Sequence, residues 1–195
     1  MKVLVGCEFS GVVRDAFIEA GHEALSCDFL ESESDLGPHY VGDIRDLLDE
    51  PWDAAVFFPP CTYLTASGLH WNKRRPERAQ QTEDALDFIR LLMSTKIPRW
   101  AIENPIGCIS TRIRKPDQIV QPWMFGHAES KATCLWLHEL PPLRPTNIVA
   151  KPESGRWLNQ TPTGQNRLGP SADRWKLRSQ TYLGFAAAMA NQWLT

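Results

Sequence analysis

The two side chains with the most chemistry within reach are a cysteine and a glutamate. Cys61 follows Phe57-Phe58-Pro59-Pro60, so a pair of prolines ends an apolar strand and lifts the thiol to the edge of the sheet rather than into the core. Thiolate is the nucleophile, and a free thiol ionises only near about pH 8.5, so a reactive site must lower that value or supply a base. The second group is Glu103, in Ala101-Ile102-Glu103-Asn104-Pro105. A carboxylic acid set opposite a nucleophilic thiol can protonate or hydrogen-bond a ring nitrogen and so open an otherwise resistant ring carbon to attack. A glutamate at a half-buried strand end keeps its proton because desolvation raises its pKa. Taken singly, a cysteine is usually a packing residue and such a glutamate a turn or helix-start carboxylate. The double proline and the pairing of the two groups set them apart, while Cys7, Cys27, Cys108 and Cys134 keep the packing reading, and His127 is read as structural.

The elements that must position this pair follow from periodicity. Val3-Leu4-Val5-Gly6 is a short strand, and Val13, Phe17 and Ala20 lie on one face of a helix ending at Gly21. A second strand, His22–Asp28, ends in an acid, and a polar, acidic loop leads to Gly42-Asp43-Ile44. The apolar stretch Trp52–Phe58 suits a parallel strand buried on both faces. Ala85, Leu86, Ile89, Leu92 and Met93 predict a helix over Thr82–Ser94, and Trp100-Ala101-Ile102 a strand leading into Glu103. Later, Thr133–Leu140 reads as a strand, Pro141–Pro170 as irregular and Thr181–Leu194 as a helix. Alternating strands and helices predict a doubly wound α/β sheet, in which ligands bind outside the carboxyl ends of the strands. Cys61 and Glu103 would share that crevice.

Length and composition bound the answer. At 195 residues the chain fits one domain, 1–195, and 43% hydrophobic with 23% charged residues is ordinary for a globular protein. No apolar run approaches the ~18 residues of a membrane span, and the amino-terminal segment lacks the pattern of a signal peptide. Neither a membrane partner nor a leader is expected. The five scattered cysteines form no CxxC pair, which argues against disulfides and zinc and for a reducing, cytoplasmic setting without a metal. A net charge of −2 exerts no global pull on nucleic acid, so DNA binding must come from local segments. Residues 69–80 supply one: Lys73, Arg74, Arg75 and Arg78 stand against the single Glu77, with Trp71 among them.

These segments, in this order, resemble the cytosine carbon-5 DNA methyltransferases. That family carries its nucleophile in a Pro-Cys element and its acid in a Glu-Asn-Val element; Pro60-Cys61 and Glu103-Asn104 match, with Pro105 in place of the valine. The resemblance implies a Rossmann-like S-adenosylmethionine-dependent methyltransferase sheet with helices on both faces. It also implies a cofactor site of Phe9, Ser10, Gly11, Asp28, Asp43, Ile44 and Pro59. The first loop has only Gly11 where the family shows more glycine. The loop after the cysteine, with Ser67, Trp71, Lys73, Arg74, Arg75 and Arg78, would close over DNA around an extruded base, and Arg112 and Arg114 would hold that base and the sulfur. Residues 178–184 and the helix after them resemble the last family elements. Little chain lies between Arg114 and Arg178, so residues 115–177 are expected to form a reduced recognition and sheet-completing region. Such a short chain suits a phage setting, with relaxed specificity or help from a homodimer partner or an accessory specificity subunit. The resemblance implies DNA cytosine carbon-5 methylation through Cys61. Two alternatives stand beside it: a pyrimidine carbon-5 modification of DNA or nucleotide with another one-carbon donor such as methylenetetrahydrofolate, and an idle DNA-binding or partner subunit.

Overall fold

The structure is a computed structural model and describes residues 1–164 and 166–194. Its frame is one mixed seven-stranded sheet in the order β3-β2-β1-β4-β5-β7-β6. The strands are β1 Lys2–Gly6, β2 Glu23–Asp28, β3 His39–Val41, β4 Ala54–Phe57, β5 Trp100–Pro105, β6 Gln118–Val120 and β7 Thr133–His138. The first five run parallel, while β7 is antiparallel to both β5 and β6. The order reverses about β1, which lies between β2 and β4. The result is an α/β architecture compatible with a Rossmann-like doubly wound sheet, with an antiparallel strand inserted beside β5.

Alternate residues of the central strands feed two separate cores, which is why these strands are apolar throughout. Val3, Val5, Val56, Ala101 and Leu135 face α1 (Val12–Glu19) and α5 (Leu183–Trp193), meeting Phe17, Phe185 and Met189. On the opposite face Leu4, Phe57, Ile102 and Trp136 meet Leu86, Ile89 and Leu92 of α2 (Pro76–Met93). Each fully buried aliphatic side chain on α2 contributes about 1.5–3 kcal/mol relative to exposure. Two short helices, α3 (Ile109–Arg112) and α4 (Arg174–Ser179), complete the elements. Among the described residues no helix is long and apolar enough to cross a membrane.

The expected elements are present with three adjustments. α2 begins at Pro76 rather than Thr82, because proline at the first helical position lacks only an N–H that would go unpaired anyway. The basic loop is therefore partly ordered as a 3-10 helix, Ala66–Lys73, with Arg78 inside α2. β5 runs on through Pro105, because β7 pairs with it as far as Thr133, so Glu103 lies within a strand rather than beyond its end.

Candidate active site

Strand register places the two chemical groups side by side. Phe57 of β4 pairs with Ile102 of β5, so Glu103 is the next residue past that pair and Cys61 follows the Pro59-Pro60 step. Asn104, buried, donates from Nδ2 to the Pro59 carbonyl at 2.8 Å and fixes the proline step to β5. Beyond Cys61 the chain closes a tight turn, with Leu64 and Thr65 N–H donating to the Cys61 carbonyl at 3.0 and 3.1 Å. That turn is zipped to the chain leaving β5: Ala66 N–H reaches the Ile106 carbonyl, Cys108 N–H reaches that of Leu64, and Thr65 bridges Gly107. A Cβ on Gly107 would stand 2.0 Å from the Leu64 carbonyl oxygen, so only glycine allows this approach.

Both groups are half-buried and their charges interact. Burial pushes the Cys61 thiol up, and the Glu103 charge pushes it further, while Arg178 and Lys131 pull it down. Burial likewise raises Glu103, opposed by the Lys131 charge and a hydrogen bond from Thr133. A proton retained on Glu103 removes the repulsion it exerts on the thiolate, so the acid and the nucleophile favour each other in those two states. Lys131 also serves as a clip. Its Nζ donates to the Arg178 carbonyl at 2.9 Å and to that of Gln180 at 3.3 Å, which ties the end of α4 to the site.

Lys131 and Thr133 were not among the residues singled out from the sequence. A signal was there: a cation and a hydroxyl two residues apart at the start of an apolar run point to one face of a strand. In the antiparallel register Glu103 pairs with Leu135 and Pro105 with Thr133, so Thr133 is diagonal to Glu103 on that face.

A cavity of about 410 Å³ opens at the carboxyl ends of β1, β2 and β4, beside Cys61. It is walled by Cys7, Cys27, Asp28, Asp43, Ile44, Pro59, Pro60, Tyr63, Asp84 and Phe88, among others. Its charge is acidic, because the one cation among the described lining residues, Arg45, is paired with Asp43 at 2.9 Å. Burial pushes the Cys27 thiol up to about 12 and raises Cys7 as well, so both stay neutral in the wall.

Four of the expected cofactor residues, Asp28, Asp43, Ile44 and Pro59, thus share one cavity, whereas Phe9, Ser10 and Gly11 do not line it. Gly11 caps α1 at φ 76°, against Arg14 and Ser34. Ser10 donates to Glu8, a buried carboxylate whose other oxygen has no partner among the described residues and whose pKa is raised by burial. Phe9 packs on Trp175 of α4 at 5.8 Å.

Arg112 is bonded to Glu83 at 2.9 Å, and Arg114 to Asp117 at 2.7 Å and to the Leu137 carbonyl. The cations that act on Cys61 are instead Arg178 and Lys131. In the basic segment, Lys73, Arg74 and Arg75 are exposed, as are Ser67 and Trp71. Arg78 turns inward to the Thr62 and Gly68 carbonyls and over the Tyr63 ring, holding the 3-10 helix to the Cys61 turn. Among the described residues no group of three or more His, Cys, Asp or Glu side chains could hold a metal ion. No protein-family model matches the chain, and no curated protein matches it.

Proposed function

We propose that the protein is a DNA cytosine carbon-5 methyltransferase with S-adenosylmethionine as donor. The observation that carries this reading is the pairing of Glu103 on β5 with Cys61 in the turn that follows the adjacent strand β4, beside an acidic cavity at the reversal of the sheet. Cys61 thiolate adds to carbon 6 of the base while Glu103 gives its proton to nitrogen 3, so the negative charge that would build on the ring is neutralised as the C–S bond forms. When bound, S-adenosylmethionine supplies the methyl group that carbon 5 takes up. Loss of the carbon-5 proton then re-forms the double bond and expels the sulfur as thiolate. Lys131 holds Thr133's neighbour Glu103 and Cys61 under one positive charge, which limits the cost of the thiolate.

The residues present fit that donor. Asp28 and Asp43 offer acceptors to sugar hydroxyls, Ile44, Pro59 and Phe88 offer apolar walls to a heteroaromatic ring, and the negative wall suits a ligand carrying a sulfonium. The same wall repels a folate with its carboxylate tail, which disfavours the methylenetetrahydrofolate alternative. An idle binding subunit would need neither Cys61 nor Glu103.

DNA containing 5-fluorocytosine, incubated with the protein and S-adenosylmethionine, should give a covalent complex, because fluorine cannot leave as a cation and elimination stops. Cys61→Ser should abolish the complex and lower methylation by at least about 10³-fold. A donor-dependent adduct that persists in Cys61→Ser, or a hydroxymethyl rather than methyl mass on the product base, would overturn the reading.

A further inference from the structure

We propose that this site takes its target from single-stranded DNA, with bases beside the target stacked on Trp71 and Trp175; the inference rests on the DNA-modifying reading above. The eight tryptophans divide by environment. Trp100, Trp136 and Trp193 are buried, Trp52 donates to the Leu47 carbonyl, and Trp123 stacks on Trp157 at 6.0 Å with rings 3° from parallel. Trp71 and Trp175 remain, 40% and 56% exposed.

The two exposed indoles sit on separate segments, each fastened to the surroundings of Cys61. Trp71 sits in the 3-10 helix that Arg78 fastens to the Cys61 turn. Trp175 is on α4, three residues before Arg178, whose charge acts on Cys61; three residues are about 4.5 Å along a helix axis. Trp71 is set among cations. The Arg74 and Arg75 guanidinium groups lie 5.7 and 5.3 Å from the Trp71 ring centre, and Trp175 has Arg174 and Lys176 as its neighbours in sequence. One side of Trp175 rests on Phe9, and Lys176 is paired with Glu33, so the indole is presented from a fixed base.

An exposed indole amid guanidinium groups fits an unstacked base next to a phosphate, which a single strand offers and a duplex hides. A duplex hides its base faces and shows only base edges in its grooves, the major groove being wide enough for a helix or a two-stranded ribbon. Here the elements around Cys61 are an eight-residue 3-10 helix and the six-residue α4, both tied down by their own contacts. Extruding a base also costs least when it is already unpaired.

The test is equilibrium binding of one fluorescein-labelled 20-nucleotide strand, alone and annealed to its complement, measured by anisotropy on Cys61→Ser so that chemistry plays no part. The single strand should bind at least about 10-fold tighter than the duplex. Trp71→Ala and Trp175→Ala should each weaken single-strand binding by roughly 5- to 100-fold, with duplex binding nearly unchanged, and Trp71→Phe and Trp175→Phe should restore most of it. Duplex binding as tight as single-strand binding, or alanine variants that retain full single-strand affinity, would overturn the proposal. Covalent trapping is read separately, so failure of either inference is distinguishable from failure of the other.

Discussion

At the scale of single residues, Glu103 pays for its role in stability. Its pKa in the fold is raised by burial above the ordinary carboxylate range, so its protonated form stabilises the native state at low pH. That contribution is lost as pH rises through the raised pKa. Glu103→Gln should therefore lower methylation by about 10²- to 10⁴-fold yet raise the melting temperature at neutral pH by a few degrees. The melting difference should widen from acid toward neutral pH; an equal difference at every pH would remove ionisation as its cause. The wild-type rate should fall on both sides of an optimum, since Cys61 must lose a proton and Glu103 must keep one. The approach of Cys61 to Glu103 was legible in the sequence because two prolines end one apolar run and a second apolar run leads into the glutamate, although Glu103 lies within β5 rather than at its end. Lys131 was passed over: its place at the start of an apolar run was visible, but which strand that run returns beside is not encoded in local periodicity. The arginines that the family resemblance implied, Arg112 and Arg114, have acids within reach at Glu83 and Asp117, and a linear reading has no means of seeing the partner that Glu83 supplies from α2.

At the scale of elements, the separation between nucleophile and acid is set by the zip between the Cys61 turn and residues 106–108. Gly107→Ala puts a methyl group 2.0 Å from a backbone oxygen, so the turn must shift. A loss of about 1–3 kcal/mol by urea denaturation is expected, with a larger proportional loss of covalent trapping, because displacement of order an ångström at a reacting centre costs about 100-fold. A variant of normal trapping rate would show that the zip does not position Cys61. The long, periodic elements β1, α1, β2, β4, α2, β5, β7 and α5 could be read from the sequence. The strands β3 and β6, three residues each, could not. So short a strand has no alternation of its own to display, and each exists because a neighbouring strand offers an unpaired edge.

At the scale of the whole molecule, the net charge conceals a division. Residues 1–60 hold thirteen acidic and three basic side chains, and residues 61–195 hold eighteen basic and ten acidic. The acidic part walls much of the cavity and the basic part carries the segments around Cys61, so a cationic donor and an anionic strand are drawn to different regions of one small protein. With roughly five phosphates engaged, log K for a single strand should fall with log salt at a slope of about −3 to −4, whereas binding of S-adenosylmethionine should vary far less. A salt-independent strand affinity would contradict this division. The place of β7 also bears on how the chain is made. A ribosome delivers Cys61 and Glu103 well before His138, the last residue of the strand that covers the open side of β5. At roughly 5–20 residues per second, that edge waits about 2–7 seconds for its cover, an interval in which a nascent chain can pair with a neighbour, and one that chaperones would be expected to guard.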